Sequence, residues 1–136
     1  VHDLKHVAEY AQVSDYAYRI MKRCLPGPYT FIFKATKKVP KEIIPKKKTV
    51  AIRIPNNEIS LNIVEQLGRP IVSTSVNVSG EPHFSDPIKI EKEFGDQVDL
   101  IVDAGILQNN PSSVIDLTQD EPVVIRHGLG DVSMFI

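Results

Sequence analysis

Six short runs of β-branched and aromatic residues constrain the fold of this chain more than any other feature. Tyr29–Thr36, Thr49–Pro55, Ile71–Ser75, Leu100–Asp103, Ser113–Asp116 and Val123–Arg126 each read as a strand. Helical spacing fills part of the remainder. Val7 to Cys24 reads as helix in one or two pieces, with Ser14 placed to cap the second and Ala17, Ile20, Met21 and Cys24 on one stripe. Pro26-Gly27-Pro28 stops it. Asn57 is placed to cap a helix running to about Leu67, where Gly68 supplies the stop, and Ile59, Ile63, Val64 and Leu67 form its expected inner face. Pro87 opens a charged helix to about Phe94 behind Asp86 or Ser85. Strands outnumber helices, and their order mixes hairpin and crossover spacings. The expected class is therefore α/β of the α+β kind, with a mixed sheet and not a purely alternating parallel one.

A chain of 136 residues is expected to form a single domain, 1–136. No apolar run approaches the roughly 20 residues of a membrane span, and no basic-then-apolar signal segment opens the sequence. Cys24 is the single cysteine, so an internal disulfide is excluded and a reducing, cytoplasmic setting is expected, with the thiol as buried filler. Charge is uneven: residues 1–80 hold 13 Lys/Arg against 6 Asp/Glu, and residues 81–136 hold 3 against 11. The surplus gathers at Lys34, Lys37, Lys38, Lys41, Lys46, Lys47 and Lys48. It reads either as a footprint for an anionic partner or as a solvated lysine-rich loop.

The polar residues that could carry chemistry fall into separate groups. In Ser73-Thr74-Ser75-Val76-Asn77-Val78-Ser79-Gly80, a short apolar run empties into hydroxyls, a carboxamide and a glycine. Such a segment is the floor of a polar ligand site or a turn that satisfies its own backbone. Arg53 lies among isoleucines, with Thr49 on the same strand face. It makes a fork for a carboxylate or phosphate, or an edge arginine in a surface ion pair. Ser112-Ser113 precedes an apolar pair and Asp116, and Arg126 closes the last strand before His127-Gly128-Leu129-Gly130. That Gly-Leu-Gly follows a strand but lacks the third glycine and the helix of a dinucleotide fingerprint. His83 and His127 have no metal-ligand spacing, and Asp99 with Asp103 makes only a weak acid–base pair. With no nucleophile–histidine pair and no thiolate, the chemistry expected is substrate positioning and charge stabilisation.

Four separated blocks give these residues a family context: Leu25-Pro26-Gly27-Pro28-Tyr29-Thr30, then Thr49 to Pro55, then Ser73 to Pro82, then Ser112 to Asp116 with Ile125-Arg126-His127-Gly128. In order and spacing the chain resembles the YrdC/YciO family, and Pro122 to Ile136 resembles the YciO branch in particular. The resemblance implies an open, twisted mixed sheet with helices around a concave basic cleft. It also implies a further segment ahead of Val1, so that the chain is the N-terminally incomplete, central and C-terminal part of a YrdC-like domain. The activity implied is that of a threonylcarbamoyl-AMP synthase, a nucleotidyltransferase that joins ATP, L-threonine and bicarbonate for modification of tRNA. By position, Arg53, Ser73 and Ser112 would contact L-threonine, and Thr49, Ser75, Asn77 and Arg126 would hold ATP. Mg²⁺ would arrive with ATP as part of the substrate. The alternative implied is a non-catalytic protein of the same family that binds nucleotide, or double-stranded RNA or tRNA through Lys46, Lys47 and Lys48.

Overall fold

The computed structural model describes residues 1–108 and 110–136. In chain order they form α1 (Val7–Tyr10), β1 (Ala11–Gln12), α2 (Asp15–Cys24), β2 (Tyr29–Ala35), β3 (Thr49–Ile52), α3 (Glu58–Leu67), α4 (Pro87–Phe94), β4 (Ser113–Asp116) and β5 (Val123–Arg126), with short 3₁₀ turns between. They gather into two compact units, Val1–Ile71 with Pro111–Ile136, and Val72–Asn110.

In the first unit β2 is the hub. It pairs antiparallel with β1 and β3 and parallel with β4, and β4 pairs antiparallel with β5. This is the expected open mixed sheet. Alternation along β2 sends Phe31 and Phe33 wholly inside, together with Ile52 of β3, Ile115 of β4 and Leu117 beyond it. They meet the α2 stripe of Ala17, Ile20, Met21 and Cys24, along with Val7 and Phe135. Ser14 starts α2 by accepting the Ala17 N–H at 3.2 Å, and Asp15 in its first turn and Lys22 and Arg23 in its last suit the helix dipole. Tyr29 stacks over Phe31 with ring centroids 6.0 Å apart, and its hydroxyl donates to the Asp131 carbonyl at 3.0 Å.

Asn57 caps α3 through Ser60, and Gly68 ends it at φ 70°, a left-handed conformation that glycine takes without a Cβ penalty. The inner face differs from the expected one. Val64 is buried and Leu61 packs on the core, while Ile59, Ile63 and Leu67 are 45–46% exposed. The helix carries two apolar stripes, and the unit uses the one that its start at Asn57 turns inward.

Ile71–Ser75 and Leu100–Asp103 are not strands. Neither belongs to the sheet, and Val72 and Leu100 are 73% and 78% exposed. A strand needs a lateral partner for its N–H and C=O groups as well as an apolar composition. Among the described residues no ladder pairs with these runs.

The second unit is organised around α4, whose first turn is capped by Asp86 accepting the Ile88 N–H at 3.0 Å. Phe84 and Phe94 meet edge-on at 5.7 Å. Backbone bonds from Phe84 N–H to Val76 and from Leu107 N–H to Ser85 tie its loops together. Among the described residues no helix is long and apolar enough to cross a membrane.

Candidate functional site: a row of arginines and hydroxyls on the sheet

The face of the sheet turned away from the core carries Thr30, Ile32 and Lys34 of β2, Thr49 and Ala51 of β3 with Arg53 just beyond, and Val114 and Asp116 of β4 with Ser112 just before. At one end of that face Thr30, Ser112 and Arg126 come together, and Arg53 follows the nearby end of β3. The ladder between β2 and β3 ends at Phe31 opposite Ile52, and beyond it the Gly27 N–H donates to the Ile54 carbonyl at 3.0 Å, so Arg53 lies where that ladder breaks off. The Thr30 and Ser112 hydroxyls are 2.7 Å apart. Arg126 then forks onto Ser112, donating to its carbonyl from Nε at 3.0 Å and from Nη2 at 2.8 Å, with Nη2 also 3.3 Å from its hydroxyl.

Arg126 reaches this face through an irregularity in β5. Val124 pairs with Ile115 and packs toward the core, so simple alternation would put Arg126, two residues on, on the same inner side. The register instead moves from Ile115–Val124 to Val114–Arg126, leaving Ile125 as the extra residue. A bulge of this kind re-aims a side chain.

Behind the row, Ser113 is fully buried and bridges the turn after β5. Its hydroxyl donates to the Gly130 carbonyl and accepts the Gly128 N–H at 3.0 Å. The two glycines are required by close approach. A Cβ on Gly128 would strike the backbone of Pro111 and Ser112, and one on Gly130 would strike the Tyr29 ring. The Gly-Leu-Gly run therefore locks the turn against β4 and β2.

The sequence-predicted residues divide accordingly. Arg53, Ser112 and Arg126 share one end of the sheet. Thr49 lies opposite Lys34, toward the other end of β3 and about 13 Å of strand from Arg53. Arg53 is exposed and makes no ion pair among the described residues. Ser73, Ser75 and Asn77 lie in the second unit. There the Ser75 hydroxyl donates to Asn77 Oδ1 at 2.6 Å, and Asn77 Nδ2 donates to the carbonyls of Val78 at 3.0 Å and Glu81 at 3.3 Å. Lys46, Lys47 and Lys48 are all exposed on a turn closed by the Lys48 N–H to the Pro45 carbonyl at 2.8 Å, with Lys48 at φ 54°. Of the other lysines, Lys38 pairs with Glu9 at 2.7 Å.

Cys24 is buried with its Sγ 3.9 Å from the Met134 sulfur, and burial raises its thiol pKa, which suits filler and not a nucleophile. Asp103 accepts the Gly105 N–H at 2.7 Å as part of a turn. Among the described residues no group of His, Cys, Asp and Glu gathers to hold a metal ion. Sequence reasoning missed Thr30 as a site residue, although its place in the Pro-Gly-Pro-Tyr-Thr block and its alternation with Phe31 were signals.

An open mixed α/β sheet of this kind is shared with a known group of proteins. Residues 1–128 match the Sua5/YciO/YrdC family, described as "Telomere recombination", and the chain belongs to that family. It is 45% identical over 136 residues to the uncharacterized protein YciO of Escherichia coli K12, covering 98% of this chain and 66% of that protein. It thus spans about two thirds of the length of the YciO proteins it matches. Threonylcarbamoyl-AMP synthase of Pyrococcus abyssi is 34% identical over 131 residues, 90% of this chain and 38% of that protein. The E. coli YciO crystal structure superposes with a TM-score of 0.94 at 44% identity, covering 100% of this chain and 67% of that one. P. abyssi Sua5 complexed with L-threonine superposes at 0.85 and 32% identity, covering 94% of this chain and 38% of that one.

Proposed function

We propose that the protein forms threonylcarbamoyl-adenylate from ATP, L-threonine and bicarbonate, supplying an activated carbamoyl group for tRNA modification. The observation that carries this reading is the Thr30–Ser112–Arg126 cluster, with Arg53 just past β3, on a fold held in common with a threonine-bound synthase. In this reaction the threonine amine adds to bicarbonate, water leaves, and an oxygen of the resulting carbamate displaces pyrophosphate from the α-phosphorus of ATP. Every reactant is anionic or carries a carboxylate. The protein's task is to bring negative groups together and offset their charge, which two guanidinium groups at one sheet end suit. Within the first unit, the residues proposed for L-threonine are Arg53 and Ser112, and those proposed for ATP or the adenylate are Thr49 and Arg126. Mg²⁺ enters bound to the ATP phosphates.

The test is pyrophosphate release from ATP by the whole protein, with and without L-threonine and bicarbonate. Release that needs both, and that falls at least about tenfold in Arg53→Ala, is the expected result. ATP binding without release would replace the synthase by a nucleotide-binding protein of the same family.

A second reading has its own observation, the three exposed lysines on the turn at 46–48. They suit the phosphate backbone of double-stranded RNA or tRNA, recognised by shape. Replacing all three by alanine should then weaken RNA binding and flatten its salt dependence by about two to three counterions. An unchanged salt slope would remove this reading.

A further inference from the structure

We propose that the outer edge of β5 is an interface at which two copies of this chain join their sheets, β5 antiparallel to β5, about a two-fold axis.

β5 ends the sheet. Its inner edge is bonded to β4, and among the described residues no strand pairs with its outer edge. Such an edge presents N–H and C=O groups that another strand can take up, and sheets commonly blunt it with lysines along the strand. Here the strand reads Val123-Val124-Ile125-Arg126, with Val123 51% and Ile125 57% exposed. Its one charged side chain, Arg126, is drawn back onto the Ser112 carbonyl and does not guard the edge. Pro122 has no N–H to give, but it lies ahead of the strand and leaves residues 123–126 able to pair.

Charge selects the partner and its direction. Asp120 and Glu121 precede β5, Arg126 and His127 close it, and all four are exposed. A second β5 laid antiparallel sets the acidic entry of one copy against the basic exit of the other, and symmetry repeats the match. A parallel copy would set like against like. The far edge of β3 is also unpaired among the described residues, yet it lacks this property. Lys46, Lys47 and Lys48 precede β3 and Arg53 follows it, so self-pairing there would oppose positive ends in either direction.

A two-fold axis between antiparallel strands stands perpendicular to the sheet. Both copies therefore present the Thr30–Ser112–Arg126 face on the same side of one continuous sheet. A strand of 4 residues is a short contact, so the association is expected to be weak and to depend on concentration.

The experiment is sedimentation equilibrium of the whole protein from about 10 µM to about 1 mM, with amide hydrogen exchange measured at both limits. The expected result is a monomer–dimer equilibrium in which the amides of residues 123–126 exchange more slowly at the higher concentration. Glu121→Lys, outside the strand, places like charges together at both ends of the contact and should weaken dimerisation about tenfold. Val123→Lys puts a charge on the edge itself and should weaken it at least as much. Leu100→Ser removes an exposed apolar side chain of the second unit and should leave dimerisation unchanged. A protein that stays monomeric over the whole range overturns the proposal. A dimer in which residues 123–126 exchange no more slowly, that survives Glu121→Lys, or that is lost in Leu100→Ser has its contact elsewhere and also overturns it. If Val123→Lys does not fold, Glu121→Lys and the exchange measurement decide the matter.

Discussion

At the scale of single residues, the site depends on groups that never touch the open face. Ser113 and Gly130 hold the turn after β5 against the sheet, and Gly130 has no room for a side chain because the Tyr29 ring lies against it. Gly130→Ala should therefore cost about 1–3 kcal/mol in urea unfolding through displacement of that ring. A smaller effect would mean that the ring moves aside easily. Glu9 is a charge-based counterpart. Hydrogen bonds from Lys38, chiefly, and from His6 lower its carboxyl pKa below the ordinary 4.5. A carboxyl depressed on folding contributes stability that is present above its unfolded pKa and lost as pH falls through the folded value. Glu9→Gln should accordingly leave the shape of the stability profile near neutrality unchanged and flatten its decline below about pH 4.5, as followed by acid unfolding. An unaltered acid limb would show that the clasp does not persist in solution.

At the scale of elements, local signals and lateral ones fared differently. The caps at Ser14, Asn57 and Asp86 and the stop at Gly68 are where the sequence predicts them, because each depends on a hydrogen bond or dihedral within a few residues. Ile71–Ser75 and Leu100–Asp103 are as apolar as real strands, yet pairing is decided by what lies alongside, which no local window contains. The same contrast holds at the site. Arg53, Ser112 and Arg126 stood out by residue type and context, whereas the hydroxyl contact of Thr30 with Ser112 spans 82 positions. The bulge was equally hidden, since alternation alone assigns Arg126 to the wrong face. Deleting Ile125 should return β5 to strict alternation and drive Arg126 toward the core. Under the proposed function, the expected outcome is loss of L-threonine binding together with a lowered unfolding midpoint. Retained binding would show that the strand re-forms its bulge elsewhere.

At the scale of the whole molecule, apolar surface is unusually visible. Val72, Leu100 and Ile106 are 73%, 78% and 75% exposed, and Ile88 is 72% exposed. Exposed apolar surface binds hydrophobic dyes. The 136-residue chain should enhance the fluorescence of anilinonaphthalene sulfonate under native conditions, and Leu100→Ser with Ile106→Ser should reduce the signal. No enhancement would mean that these side chains are covered in solution. The position of β2 has a consequence in time. One edge of β2 is paired by β3, a near neighbour in sequence, but on the other β1 covers only Lys34 and Ala35, and Tyr29 to Ile32 wait for β4, more than half the chain later. During synthesis from the N-terminus, an aromatic strand with part of one edge unpaired must persist until residues 113–116 emerge from the ribosome. A nascent chain of this topology is vulnerable to edge-to-edge association until β4 arrives, so cells have reason to keep its ribosomes well spaced or its nascent form chaperoned.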